Sequence, residues 1–257
     1  MNKKKCPLCG SPKTRQLLRA GTWGIDWCRE CTNAWTEPAP DGVRYHEKDF
    51  HAQFPYREVG ELPGQWRRAT MMQANLLTEF LPPEAAVLEI GCGEGLFLKE
   101  LRCRGFTVRG IEPSLQASRR AREAGLDVTS GRFPHPKIGG PVHAAVMIQV
   151  LEHIRHPVEF LDEVHRVAAG GIALLVQTNW RGLLPRLQRQ RWYAWVPEDH
   201  FWHFTPKGMS VLLSGMGWRI LKMEYSSLHH GASRLSRVGA AIPGMGDQFH
   251  TIVRIPP

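Results

Sequence analysis

Val87-Leu88-Glu89-Ile90-Gly91-Cys92-Gly93-Glu94-Gly95 is the stretch on which the fold turns. A short apolar run of strand character enters a bend with glycine at alternate positions, and a helical apolar pattern resumes at Leu96. Missing side chains let a ligand approach the backbone closely, and the start of the next helix offers free N–H donors. TVRGIE at 107–112 reads as the following strand and ends in Glu112, where a carboxylate can accept both hydroxyls of a ribose.

Outward from this bend, helical and strand patterns alternate. A helix is predicted over 65–81, stopped by Pro82-Pro83, then a strand over 86–91 and a helix over 95–104. SLQASRRAREAG forms the next helix, with Ser114 at its N-cap, and LDVTS a short strand. A strand at 144–149 leads to the amphipathic PVEFLDEVHRVAAGG, which stops at Gly170-Gly171. IALLVQT, a helix capped by Thr205 with Pro206 at its first position, WRILKMEY and FHTIVRI complete the series. Alternation of this kind predicts an α/β domain with a parallel sheet over 65–257.

The charges of the bend choose among nucleotide-like ligands. A dinucleotide fingerprint reads G-x-G-x-x-G, whereas Gly91, Gly93 and Gly95 give G-x-G-x-G, with Glu89 two residues ahead. A carboxylate there repels a pyrophosphate and suits a cationic ligand. S-adenosylmethionine, which carries a sulfonium and an ammonium and no phosphate, has that character.

With VLEIGCGEG, the acid of GIEPS, and Gln149-Val150-Leu151-Glu152-His153-Ile154 followed by HPVEFLDEVHRVAAGG, the chain resembles the class I S-adenosylmethionine-dependent methyltransferases, in particular the small-molecule, ubiquinone O-methyltransferase-like group. The resemblance covers about 65–225. It implies a doubly wound, mostly parallel seven-stranded sheet of Rossmann-like type. By position it implies that Glu89, Gly91, Cys92, Gly93 and Gly95 hold the methionine end and Glu112 the ribose. Pro113, Ser114 and Phe133 would lie by the adenine, and Gln149 would face the methionine portion. Methyl transfer to a hydroxyl also asks for a base of near-neutral pKa, for which His153, His200 and His203 are the candidates. The same resemblance extends to an N-terminal four-cysteine ribbon, an aromatic linker and the later His203-Phe204-Thr205-Pro206.

Cys6-Pro-Leu-Cys9 and Cys28-Arg-Glu-Cys31 lie at zinc-ligand spacing. Each C-x2-C turn aims two thiolates at one point, and two turns complete a tetrahedral shell suited to Zn2+. Two disulfides or a redox pair are the alternatives, and a reducing compartment weighs against disulfides. A four-thiolate shell leaves no open position, so the ion expected here is structural. The domains expected are a zinc ribbon at 1–37, an aromatic linker or lid at 38–64 carrying Tyr45, Phe50, Phe54 and Tyr56, and the cofactor domain at 65–257.

The 257 residues are 42% hydrophobic and 22% charged, a globular composition that excludes disordered and fibrous classes. At this size about 70–75% of the unfolded surface is buried, so the core needs no staple. No apolar run reaches the ~20 residues a bilayer span needs, and the basic N-terminus lacks the apolar stretch of a secretory signal. A cytoplasmic location without membrane insertion is expected. The net charge of +9 is spread along the chain, with an Arg-rich stretch beside Trp192, Tyr193 and Trp195. It invites a polyanion or an anionic acceptor, and a small-molecule acceptor is favoured over nucleic acid. The rivals are a zinc-ribbon RNA methyltransferase and a non-catalytic zinc-binding module with a relict cofactor fold. Acceptor identity, oligomeric state and the role of 226–248 stay open at this level.

Overall fold

The structure is a computed structural model that describes residues 4–40, 55–227 and 242–257. Strands and helices follow in the order β1 (Thr14–Ala20), β2 (Trp23–Cys28), β3 (Ala34–Glu37), α1 (Gly64–Phe80), β4 (Ala86–Ile90), α2 (Leu96–Cys103) and β5 (Thr107–Glu112). Then come α3 (Leu115–Glu123), β6 (Val128–Ser130), β7 (Ala144–Ile148), α4 (Pro157–Ala168), β8 (Ile172–Thr178) and α5 (Leu183–Gln188). The last elements are β9 (Trp202–His203), α6 (Pro206–Gly215), β10 (Arg219–Ser226) and β11 (Gln248–Arg254).

Seven strands form one sheet, the number that the resemblance implies, in the order β10-β11-β8-β7-β4-β5-β6. β4 pairs in parallel with both β5 and β7, and β5 in parallel with β6. Strand order therefore reverses at β4, and in such sheets ligands bind beyond the carboxyl ends of the strands at the reversal. The Gly91–Gly95 bend leaves β4 at that point.

Local rules account for the elements. β8 reads Ile-Ala-Leu-Leu-Val-Gln-Thr without alternation because all seven residues are buried, as both faces of a central parallel strand require. α1 buries Ala69, Gln73, Ala74, Leu76 and Leu77, one stripe at helical spacing, and ends before Pro82. The Ser114 hydroxyl accepts from Ala117 N at 3.2 Å and the Thr205 hydroxyl from Gly208 N at 2.9 Å, so both predicted caps are made.

A second, four-stranded sheet of order β1-β2-β3-β9 holds the cysteine-rich segment. Its strands are antiparallel, and β9, only Trp202 and His203, lies against Trp35 and Ala34. Sequence periodicity gives no sign of β9, because a two-residue strand has no period.

Contacts group the chain into two compact units, neither continuous in sequence. One comprises Met1–Arg44, Gln149–Val158 and Val176–His250, the other Tyr45–Ile148, Glu159–Leu175 and Thr251–Pro257. The aromatic lid expected at Tyr45, Phe50 and Phe54 and most of the 226–248 insertion lie outside the described residues. The Arg-rich stretch folds as the six-residue α5 followed by a 3-10 turn over Arg189–Arg191.

Gly110, in β5, is enclosed: an added Cβ would stand 2.6 Å from Cys92 Sγ, 2.8 Å from Leu98 Cδ1 and 3.1 Å from Val128 Cγ2. Overpacking of this kind costs about 1–3 kcal/mol. Gly110→Ala is expected to lower the unfolding free energy by that amount, read in equilibrium urea unfolding as a lower midpoint with the m-value unchanged.

Candidate functional site

The bend after β4 is built by backbone geometry. Gly91, Gly93 and Gly95 have φ of 75°, 53° and 80°, the left-handed region that side chains disfavour. At Gly95 space adds to conformation, since a Cβ there would meet Leu126 Cδ1 at 2.2 Å. Gly95 N bonds to Cys92 O at 2.9 Å, and α2 begins at Leu96 with no side chain capping it. The first N–H groups of that helix are thus left to whatever the bend receives.

Two carboxylates frame it. Glu112 accepts from Gly93 N at 2.8 Å through Oε2 and from Ser114 N at 2.9 Å through Oε1, so it fixes the shape of the bend, and each oxygen keeps a second acceptor direction. Glu89 is buried, and its Oε2 has no hydrogen-bond partner among the described residues. Burial, and then the charge of Glu112, push the Glu89 carboxyl well above the usual range. Burial also raises Glu112, against the two backbone donors that favour its charged form. Glu94, the third acid of the bend, is paired with Arg120 Nη1 at 2.6 Å. Among the described residues, no cation pairs with Glu89.

The remaining predicted residues of this part lie on the segments that follow β4, β5, β6 and β7, Gln149 in the other compact unit. Cys92 is buried, with a thiol held well above its ordinary pKa by burial, which makes it a filler and not a nucleophile. Pro113 is half-buried, and the Ser114 side chain is committed to its capping role. Phe133 sets its ring edge against Phe160, centroids 5.6 Å apart. Gln149 directly follows β7 with φ of 55°, and its Nε2 is buried without a partner among the described residues. A non-glycine residue held in that region costs about 1–2 kcal/mol, and nothing in the sequence announces it.

The histidines belong to the other unit, where they form a cluster. The His153 and His200 rings meet edge to face at 4.7 Å, His200 and His203 are 6.0 Å apart, and Trp195 packs on His203 at 4.7 Å. His153 Nδ1 donates to the Asp199 carbonyl at 3.1 Å, so Nε2 is the nitrogen left for another partner. Burial pushes His200 well down and His203 down to about 3, so both are neutral imidazoles. That is below the near-neutral range expected of a base, and it makes them hydrogen-bond acceptors. Glu152 is buried, its two oxygens make no hydrogen bond of ordinary geometry, and the Gln177 amide and His153 ring are its polar neighbours.

Glu152, His153 and His200 present donor atoms within 4.8 Å of one another, a carboxylate and two imidazoles that can hold a divalent cation. Read along the chain alone, Gln149 in place of an acid argues against a cation there; His200, brought in from 47 residues away, is what chain order conceals.

Cys6, Cys9, Cys28 and Cys31 also lie within 4.8 Å of one another, with Cys6 Sγ to Cys31 Sγ at 3.7 Å and Cys9 Sγ to Cys28 Sγ at 3.6 Å. All four are free thiols. A tetrahedral zinc with Zn–S of about 2.3 Å has sulfur–sulfur edges of about 3.8 Å, so the donor set fits that ion. Glu30 N points at Cys28 Sγ from 3.3 Å, the backbone donor that steadies a thiolate. Cys6, which accepts from Cys31, is drawn down to about 5.

A family model described as a methyltransferase domain matches residues 62–223. The ubiquinone biosynthesis O-methyltransferase of Caulobacter sp. (strain K31) is 28% identical over 144 residues, 50% of this chain and 57% of the relative. Human methyltransferase-like protein 27 is 30% identical over 170 residues, 53% and 69% of the two chains. The chain thus spans little more than half the length of the bacterial relative. A SAM-dependent methyltransferase from Archaeoglobus fulgidus shares the fold with a TM-score of 0.57, at 14% identity, over 81% of this chain and 99% of that one.

The raised Glu89 pKa sets a sign. Because the fold disfavours its charged form, the stability it contributes is present below the unfolded carboxyl pKa and is lost as pH rises through the higher folded value. Glu89→Gln, which stays neutral, is expected to melt higher than the parent at pH 8, with the gap closing toward pH 4, in ligand-free scanning calorimetry.

Proposed function

The chain belongs to the class I S-adenosylmethionine-dependent methyltransferases, and on that premise we propose that it methylates a small-molecule acceptor, with a structural zinc in its cysteine-rich sheet. The observation that carries the cofactor reading is Glu89, a buried carboxyl group at the edge of a side-chain-poor bend, with no cation paired to it among the described residues. Bound there, S-adenosylmethionine supplies an electrophilic methyl on a sulfonium. Glu89 meets the positive end, and Gly91, Cys92, Gly93 and Gly95 hold it by backbone contact. Glu112 takes the ribose hydroxyls with the acceptor directions its two backbone bonds leave free. Pro113, Ser114 and Phe133 border the adenine, and Gln149 offers its amide.

Displacement of a neutral thioether needs little acid catalysis. Alignment of acceptor and methyl is the main contribution, worth up to about 7–11 kcal/mol in well-oriented systems. A hydroxyl acceptor must still release its proton. Among the three histidines, His153 takes that role in this reading: it is half-buried and its Nε2 is left for another partner, while burial keeps His200 and His203 from binding a proton at neutral pH. Small-molecule chemistry is supported by these buried neutral imidazoles, each suited to one hydrogen bond from a desolvated group, whereas a polyanion asks for exposed cations. The named activity of the Caulobacter relative, an O-methyltransferase of ubiquinone biosynthesis, points the same way.

Isothermal calorimetry on the full chain tests the cofactor. S-adenosylmethionine is expected to bind, NADH not to, and Glu89→Gln to weaken S-adenosylmethionine about 10–100-fold, the range of a charged hydrogen bond. No heat with S-adenosylmethionine, or equal affinity for the variant, overturns the assignment. For the ribbon, one zinc per chain is expected by elemental analysis, and Cys31→Ser is expected to abolish it and lower the melting temperature by several degrees. A chain that carries no zinc after purification without chelator contradicts the structural metal.

A further inference from the structure

Thr36, on β3 of the cysteine-rich sheet, holds the loop that carries two of the histidines. Its backbone N bonds to Phe201 O at 3.0 Å, and its hydroxyl donates to the His200 carbonyl at 2.6 Å. A hydroxyl has one proton. With that proton spent on a carbonyl, Thr36 Oγ1 can only accept from His203 Nε2, which stands 3.2 Å away. Nε2 therefore carries the ring proton of His203, and Nδ1 is a bare lone pair. That Nδ1 is buried and has no hydrogen-bond partner among the described residues. A buried acceptor left without a donor is costly, and a ligand donor would recover that cost.

The rest of the same segment keeps Thr36 in register. Thr32, next to Cys31, shares a hydrogen bond with Thr205 at 2.7 Å, and its carbonyl accepts from Trp180 Nε1 at 3.2 Å. Asn33 Oδ1 accepts from Thr205 N at 3.2 Å and occupies the space where a Cβ on Gly208 would be, 1.7 Å from it. The glycine is needed for room, not for its φ. Cysteine knuckle, threonines and the start of α6 are thereby one hydrogen-bonded assembly.

We propose that Thr36 is a positioning residue that sets the tautomer of His203, and that His203 Nδ1 accepts a hydrogen bond from a hydroxyl or N–H group of the methyl acceptor. The ribbon strand is then part of the acceptor site. The acceptor half rests on the methyltransferase reading above; the tautomer half stands without it.

The test uses the full-length protein with 15N-labelled histidine and long-range 1H–15N correlation spectra. The parent and Thr36→Ser are expected to show His203 as the Nε2–H tautomer. The near-isosteric Thr36→Val is expected to lose that preference and to exchange the Nε2 proton at least about 10-fold faster, the worth of roughly one hydrogen bond. Phenol, one hydroxyl donor on an apolar ring, is expected to shift the His203 Nδ1 resonance in the parent and in Thr36→Ser and to lose that effect in Thr36→Val. A parent protonated at Nδ1, or a Thr36→Val spectrum like the parent's, overturns the positioning role. A Nδ1 resonance indifferent to phenol overturns the acceptor contact. S-adenosylhomocysteine calorimetry on the same samples separates the two readings: equal affinity in all three shows the cofactor bend intact, and absence of binding in the parent defeats the methyltransferase reading while leaving the tautomer result in force.

Discussion

A carboxyl group buried without a countercharge among the described residues is costly to ionise, and Glu89 is such a group. Two features let the fold tolerate it. Protonation is made easier by burial, so the charge need not persist in the ligand-free protein. The bend is also held rigid by other means, namely the Glu112 bonds to Gly93 and Ser114 and the left-handed glycines. Rigidity matters because a preorganised site spends little of its binding energy on ordering itself.

The histidine cluster follows a related logic with neutral groups. His153 and His203 each have one ring nitrogen committed to a backbone carbonyl or a hydroxyl, which orients the ring, and the other nitrogen of His203 is buried without a partner among the described residues. Glu152, beside His153 and His200, is a second buried acid with its oxygens unmet. Polar groups without partners are rare in protein interiors, and several in one unit mark a place that a ligand, an ion or water completes. Around them, Trp27, Trp180, Trp192 and Trp195 meet edge to face or tilted, with Arg181 over the Trp27 and Trp180 faces, so the polar atoms sit among apolar rings where each hydrogen bond counts for more.

The cysteine shell plays a different part. Thirty-odd residues with β1, β2 and β3 offer little apolar surface to bury, and four cysteines stand at zinc-like spacing beside them, where the zinc proposed above would supply the constraint that a core otherwise provides. The consequence reaches past the metal. Thr32, Asn33 and Thr36 lie within five residues of Cys31, so whatever fixes that thiolate also fixes the hydroxyls and the amide that the α6 cap and β9 rely on.

Sequence alone determined the parts of this protein that are governed by local rules. The run into Gly91, the caps at Ser114 and Thr205, the stop before Pro82 and the unbroken apolar β8 each follow from neighbours a few residues away. So did the two C-x2-C knuckles, whose spacing encodes their convergence. Tertiary structure decided what depends on residues far apart in the chain: the pairing of Trp202 and His203 with β3, the addition of His200 to Glu152 and His153, the left-handed Gln149, and the depressed basicity of His200 and His203. Burial and hydrogen-bond partnership across 160 residues have no periodicity to be read, because they are set by packing and not by the local conformational preferences that a sequence displays.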